Sequence, residues 1–193
     1  MTYELAIVGG GPAGASAALF AARAGLRTVV VDNGSGLTQR ALVLNHFGLP
    51  DGIEGPALNE SGRRHAVAAG ADWVDDEVTS LSVDDGTVTL LTAGGLTLQA
   101  DDVLLAQGVN TALAASAGIA TEDGREPWIK TVVTVDAEGR TSVPRVWAAG
   151  TLAGTSVHTI ITAGDGARVA INVISGLRGK RHVDHDSLPA SAG

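Results

Sequence analysis

The sequence predicts a mixed α/β domain: a parallel sheet wrapped by helices, with a three-stranded antiparallel meander inserted. At the N-terminus a β-prone run, a glycine turn and an Ala-rich stretch follow one another, which is the order strand, turn, helix. Short β-branched runs recur between helical stretches, and residues 77–100 alternate apolar and polar at period two. With 193 residues and 45% hydrophobic content, the chain can bury a core as one domain without metal or disulfide staples.

Taken in order, residues 3–8 form a strand running into Gly9-Gly10-Gly11-Pro12-Ala13-Gly14, and Ala15–Ala24 favours helix until Gly25 closes it. Thr28–Asp32 is a buried strand, so the first forty residues make a βαβ unit. Asn33–Glu54 is rich in Asn, Gly and Pro and reads as a long functional loop. Ala57–Gly70 is a modest amphipathic helix. The meander consists of Val78–Val83, Val88–Leu91 and Leu96–Leu98, separated by the turn signals Asp85-Gly86 and Gly94-Gly95. A further buried strand, Asp102–Ala106, stops at Gln107-Gly108. Thr111–Gly118 is a short helix, Trp128–Val135 a strand, and Val143–Ala149 a strand ended by Gly150. Thr159–Gly176 is a long helix of small and β-branched residues. The expected organisation is a single domain over 1–179, with halves 1–108 and 109–179, followed by a flexible tail over 180–193.

Charge and cysteine usage exclude several functions. Thirteen basic against 21 acidic residues give a net charge of −8, which argues against nucleic acid and anionic lipid as partners. With no cysteine the chain runs no dithiol exchange and binds no thiolate-ligated metal or iron–sulfur cluster. His182 and His185, beside Asp184 and Asp186, read as an incidental pair, so no metal site is expected. No apolar run reaches the roughly 18 to 20 residues of a membrane span, and the N-terminus lacks a basic n-region. The expected location is cytoplasmic.

The strongest motif is Gly9-x-Gly11-x-x-Gly14 between a strand and a helix, with Asp32 ending the next strand. Gly9 permits the tight turn, Gly11 lets a pyrophosphate approach the backbone, and Gly14 lets helix and strand pack closely. The helix N-terminus offers free N–H groups and a positive dipole end to phosphates, while Asp32 accepts from ribose hydroxyls. This is a Rossmann-like dinucleotide fingerprint, and by itself it does not separate FAD from NAD.

Four motifs in order extend it: Gly9–Ala18, Asn45–Ile53, Arg145–Gly150 and Ile160–Ala167. Together they resemble the FAD domain of the thioredoxin reductase group of pyridine nucleotide-disulfide oxidoreductases, from Tyr3 to about Gly179. The resemblance implies FAD as cofactor. Gly9, Gly11, Pro12, Ala13 and Gly14 would hold its pyrophosphate, and Asp32 with Asn33 would face the adenosine ribose. Leu37, Thr38 and Asn45 match loop positions on the flavin side, and Val78 matches the backbone position beside adenine. Ala106-Gln107-Gly108 stands where the family usually has Ala-Thr-Gly. After Gly150 the family's aspartate, which binds the ribityl chain, is replaced by Thr151; loss of a charge-assisted bond there is worth about a kcal/mol or more. The helix beginning at Thr159 and Ile160 would aim its N-terminus at the flavin's pyrimidine edge. His158, just before it, is the candidate catalytic residue, as proton donor to flavin or substrate. The other reading of His158 is a partly exposed loop histidine with a structural bond.

In the family a second dinucleotide domain, carrying the NADPH site and a Cys-x-x-Cys pair, separates the two halves. Here Gly108 passes directly through Val109-Asn110-Thr111 into the second half, and no second Gly-rich fingerprint lies between Gly108 and Val146. The chain is therefore expected to be an FAD-binding oxidoreductase, not a thioredoxin reductase. A diffusing donor, a small-molecule substrate or a separate electron-donor protein would reach an exposed flavin. An uncovered apolar rim would favour a homodimer. The alternatives are a non-catalytic flavin-binding or interaction subunit and a small NAD-binding Rossmann protein.

Overall fold

The computed structural model describes residues 2–188. Its first βαβ unit is β1 (Thr2–Val8), α1 (Pro12–Arg23) and β2 (Thr28–Asp32). Pro12 occupies the first turn of α1, where its fixed φ suits a helix and its missing N–H costs nothing. The stretch expected as a loop holds a 3₁₀ turn at Leu37–Arg40 and a two-residue ladder between β3 (Leu42–Val43) and β4 (Ile53–Glu54). Next come α2 (Gly55–Ala68), β5 (Asp72–Asp75), β6 (Val78–Asp84), β7 (Thr87–Thr92) and β8 (Thr97–Leu105). The chain closes with α3 (Ala112–Ser116), the hairpin β9 (Thr121–Asp123) and β10 (Thr131–Val133), β11 (Val146–Ala148) and α4 (Thr159–Arg178).

The main sheet runs β5-β2-β1-β8-β7-β6, and β11 also pairs with β8. Strands β5, β2, β1, β8 and β11 are parallel, while β6 and β7 are antiparallel to their neighbours. The meander's third strand and the strand at Asp102–Ala106, expected as separate elements, are one strand. The first half of β8 pairs with β7 through Thr97–Ala100, and its second half pairs with β11 through Val103–Leu105. A single strand thus welds the meander to the parallel sheet. Besides β3 and β4, two further strands not expected from the sequence are β5 and β9, and the strand expected over Trp128–Val135 is confined to Thr131–Val133.

Each face of the parallel sheet carries its own core. Leu5, Ile7, Val30 and Leu104 point to the side covered by α1 and α4. Val8, Val31, Val103 and Leu105 point to the side covered by the meander and α3. Full burial of each such side chain is worth about 1.5–3 kcal/mol, so both layers hold the strand ends fixed. The helices α1 and α4 touch backbone to backbone: a Cβ on Gly166 would lie 2.0 Å from the Ala13 carbonyl oxygen.

After α4, residues 181–188 have no regular secondary structure but are tied to the helices. Arg23 pairs with Asp184 and Asp186, and the His182 N–H donates to Ser175 Oγ at 3.0 Å. The last part of the expected flexible tail, 189–193, lies outside the described residues.

Candidate functional site

The parallel strands β1, β2, β8 and β11 end on one side, at a cavity of about 610 Å³. A crevice beyond the C-terminal strand ends is where an open α/β sheet receives its ligand. Gly9 makes the exit from β1 at φ +102°, and a Cβ on it would lie 2.6 Å from the Ala106 carbonyl oxygen. Only glycine fits that conformation and that approach. A Cβ on Gly10 would lie 2.8 Å from the Asp32 carboxylate, so Asp32 is folded against the turn. Gly11 is different: nothing lies within 4 Å of a Cβ there, and the open space belongs to the cavity wall. At Gly14 a Cβ would strike the Gly9 carbonyl oxygen, which fixes α1 to the turn.

At the other end of the cavity, Ala106, Gln107 and Gly108 leave β8, and the Gln107 side-chain oxygen is buried without a hydrogen-bond partner. A buried acceptor left unpaired costs about 1–3 kcal/mol, and here it borders the cavity. Thr151, Thr159 and Thr162 bring hydroxyls to the wall from the turn after β11 and the first turn of α4. The Gly150 N–H donates to the buried Asp165 carboxylate at 2.7 Å, and Arg168 pairs with the same carboxylate at 2.9 Å. This holds the 150–153 turn against α4. His46 Nδ1 lies 3.0 Å from Thr159 Oγ1 and ties the 44–52 loop to the same helix end.

Of the residues singled out from the sequence, Gly9, Gly11, Pro12, Ala13, Asp32, Asn33, Leu37, Thr38, Val78, Ala106, Gln107, Gly108, Thr151 and Thr159 line this one cavity. Gly14, Asn45, Gly150, His158 and Ile160 do not. Gly14 and Gly150 act by packing; a Cβ on Gly150 would lie 2.8 Å from the Ala13 Cβ. Asn45 is exposed. His158 is the exposed N-cap of α4, with Nδ1 2.8 Å from Ser156 Oγ, and Ile160 faces outward. The site's other contributors are Trp128, which lies in no motif, and His46, Thr162 and Asp165, which lie inside two of the motifs without a role assigned to them; they meet only through the tertiary fold.

At the rim the Thr92 hydroxyl and the Glu77 N–H hold the Asp76 carboxyl below its ordinary value. Asp76 therefore stays ionised through neutral pH.

A family profile described as pyridine nucleotide-disulphide oxidoreductase matches residues 3–130 and again 74–167. The chain belongs to the pyridine nucleotide-disulphide oxidoreductase family. It is 38% identical over 111 residues to a bifunctional thioredoxin reductase/thioredoxin of Mycobacterium leprae, which covers 56% of this chain and 24% of that one. It is 36% identical over 109 residues to the thioredoxin reductase of Mycolicibacterium smegmatis, covering 55% of this chain and 35% of that one. The matched segments thus span about a quarter to a third of those relatives' lengths. Among solved structures, a thioredoxin reductase from Gloeobacter violaceus superposes with TM-score 0.80 at 19% identity, covering 97% of this chain and 99% of that one. An oxidoreductase from Agrobacterium tumefaciens gives 0.81 at 16% identity, covering 93% and 99%. These likenesses place the fold of this family member among the thioredoxin reductases, and its sequence contains no cysteine.

Proposed function

We propose that this chain is an FAD-binding oxidoreductase of thioredoxin reductase-like type whose flavin meets its reaction partner directly, without a nicotinamide domain or dithiol in the same chain. The observation that carries this reading is the continuity of one cavity from the glycine fingerprint to the first turn of α4, with an unpaired buried acceptor on Gln107 along it. The residues fit the cofactor. The turn Gly9–Ala13 offers backbone N–H groups and an open cradle at Gly11 to a pyrophosphate, and Asp32 accepts from a ribose. Gln107 and Thr151 supply neutral hydrogen bonds toward the flavin end. Bound FAD supplies two-electron transfer; the chain's own residues bind it, orient it and direct the α4 dipole at it.

Electrons are delivered by a diffusing donor, a small organic substrate or a partner reductase. The segment between Gly108 and Val146 forms only α3 and one small hairpin, which supports this reading. Exposed Leu42, Leu44 and Phe47, the last 92% exposed, favour a homodimer burying that loop. Work in the cytoplasm fits the cysteine-free composition. The placement of His158 outside the cavity wall favours a second reading, a non-catalytic flavin-binding subunit.

The visible spectrum of purified protein, with the chromophore released by heat identified, tests the cofactor. Yellow protein releasing FAD is expected. Anaerobic addition of NADH, NADPH and small organic donors then tests turnover, and a flavin that none of them reduces points to the subunit reading. Gly11→Glu places a side chain in open space, so it is expected to fold normally and to lose FAD at least about 100-fold, about 2.7 kcal/mol. Wild-type FAD affinity in that variant would overturn the assignment of the fingerprint.

A further inference from the structure

The charged side chains that line the cavity are Asp32, Asp76, Glu77 and Glu126, all carboxylates, and among the described residues no lysine or arginine joins them. None of the four takes part in the ion pairs formed among the described residues. Three of them stand at the end marked by Asp32 and Val78. Glu126 stands apart, half-buried in the loop 124–130 that joins β9 to β10. That hairpin lies beside the turn after β11, since a Cβ on Gly154 would touch Val132 at 3.5 Å. Glu126 lines the cavity from that loop.

The same loop carries Trp128, which lines the cavity while the residue remains 91% exposed. The other two tryptophans are each covered by a cation of this chain. Arg63 lies 5.3 Å from the Trp73 ring centroid, and Arg140 lies 5.0 Å from that of Trp147. Among the described residues no such cation covers Trp128. Apolar Ile129 and Val157 line the same cavity. An open aromatic face, an unpaired half-buried carboxylate and an apolar wall are together the recognition chemistry of an organic cation.

We propose that this mouth is a subsite for an ammonium group carried on an apolar or aromatic body, in which Glu126 pairs with the ammonium and Trp128 covers the body. Resting on the reading of the cavity as a flavin site, this names the substrate class: an organic amine, in preference to a carboxylate, which Glu126 repels.

Calorimetric titration of the purified protein with benzylamine, benzyl alcohol and benzoate tests the subsite, and none of these signals requires flavin turnover. Benzylamine is expected to bind one to one, with benzoate at least about tenfold weaker. Glu126→Gln, isosteric and on a surface loop, should weaken benzylamine about tenfold and leave benzyl alcohol unchanged. Trp128→Ala should weaken both amine and alcohol severalfold. Equal binding of benzoate and benzylamine, or no effect of Glu126→Gln, would overturn the proposal. The flavin content of the same sample separates the two readings. Colourless protein that binds benzylamine keeps the subsite and sinks the FAD reading, whereas yellow protein that binds no benzylamine does the reverse.

Discussion

The two ends of the lower half of β8 treat buried polar groups in opposite ways. At Asp102 the carboxylate is buried and fully engaged: Trp147 Nε1 donates to it at 2.8 Å and Arg145 at 3.2 Å. Five residues on, Gln107 holds an equally buried side-chain oxygen with no partner, beside the large cavity. Arg145 even sits at φ +69°, a conformation that costs a non-glycine residue about 1 kcal/mol or more, next to the pair it completes. The contrast teaches how to separate architecture from function in this fold. The group at Asp102 that the chain satisfies itself holds the sheet together, and the oxygen it leaves open at Gln107 borders the cavity.

The strongest way to break the contrast is at the helix crossing that supports both ends. Gly166→Val would drive a side chain into the Ala13 backbone, where a Cβ alone would come within 2.0 Å of the carbonyl oxygen. Since that contact is backbone, it cannot yield by a rotamer change. A loss of about 3 kcal/mol is expected, which is a fall in Tm of about 6–12 °C for a chain of this size. Thermal unfolding followed by circular dichroism checks it. Gly11→Glu, in open space, is expected to leave Tm of the ligand-free protein nearly unchanged. An equal fall in both variants would remove the distinction between a packing glycine and a ligand-facing one.

A smaller effect is expected at the satisfied end. Asp102→Ala strands the Trp147 N–H and should cost about 1–3 kcal/mol at neutral pH. Burial pushes the Asp102 carboxyl above its ordinary value of 3.8, against the lowering by Trp147 and Arg145. The sign of its pH dependence follows. A raised folded value means that this group's contribution is fully present below pH 3.8 and is lost as pH rises through the raised value. The variant lacks that term, so its stability deficit should be larger in acid than at neutrality, as urea unfolding at pH 4 and pH 7 would read. A deficit that shrinks in acid would show that the Arg145 pair, not burial, dominates.

How much of this was legible in the sequence depends on whether a residue works through its neighbours in the chain or through the fold. The βαβ unit and the fingerprint were readable because turn, helix cap and strand are local. Strand β8 was divided because its pattern changes: exposed and buried residues alternate over 97–102, where one side is open, and burial is continuous over 102–105, where both faces are covered. Edge strand β5 was missed because Asp72 and Asp75 bracket only Trp73 and Val74, too short a run to signal a strand. At the site, the glycines and Asp32 were found by spacing. Asp165, which holds the Gly150 N–H, lay inside a motif whose resemblance carried no role for it, and His46 reaches Thr159 across 113 residues. Periodicity cannot announce such contacts.

The smallest expected effect is also the sharpest test of the contrast, because its sign should change with the ligand. Gln107→Leu removes the unpaired oxygen and keeps most of the side-chain volume. Without ligand the wild type bears the cost of that buried acceptor, so the variant should be more stable by about 1 kcal/mol, a rise of about 2–4 °C in Tm. With saturating FAD the acceptor gains a partner that leucine cannot offer, and the wild type should then recover or exceed the variant's stability. Scans with and without added FAD measure both arms. A variant more stable by the same margin in both would mean that Gln107 never meets the ligand, and its open oxygen would then be a flaw in packing and no mark of the site.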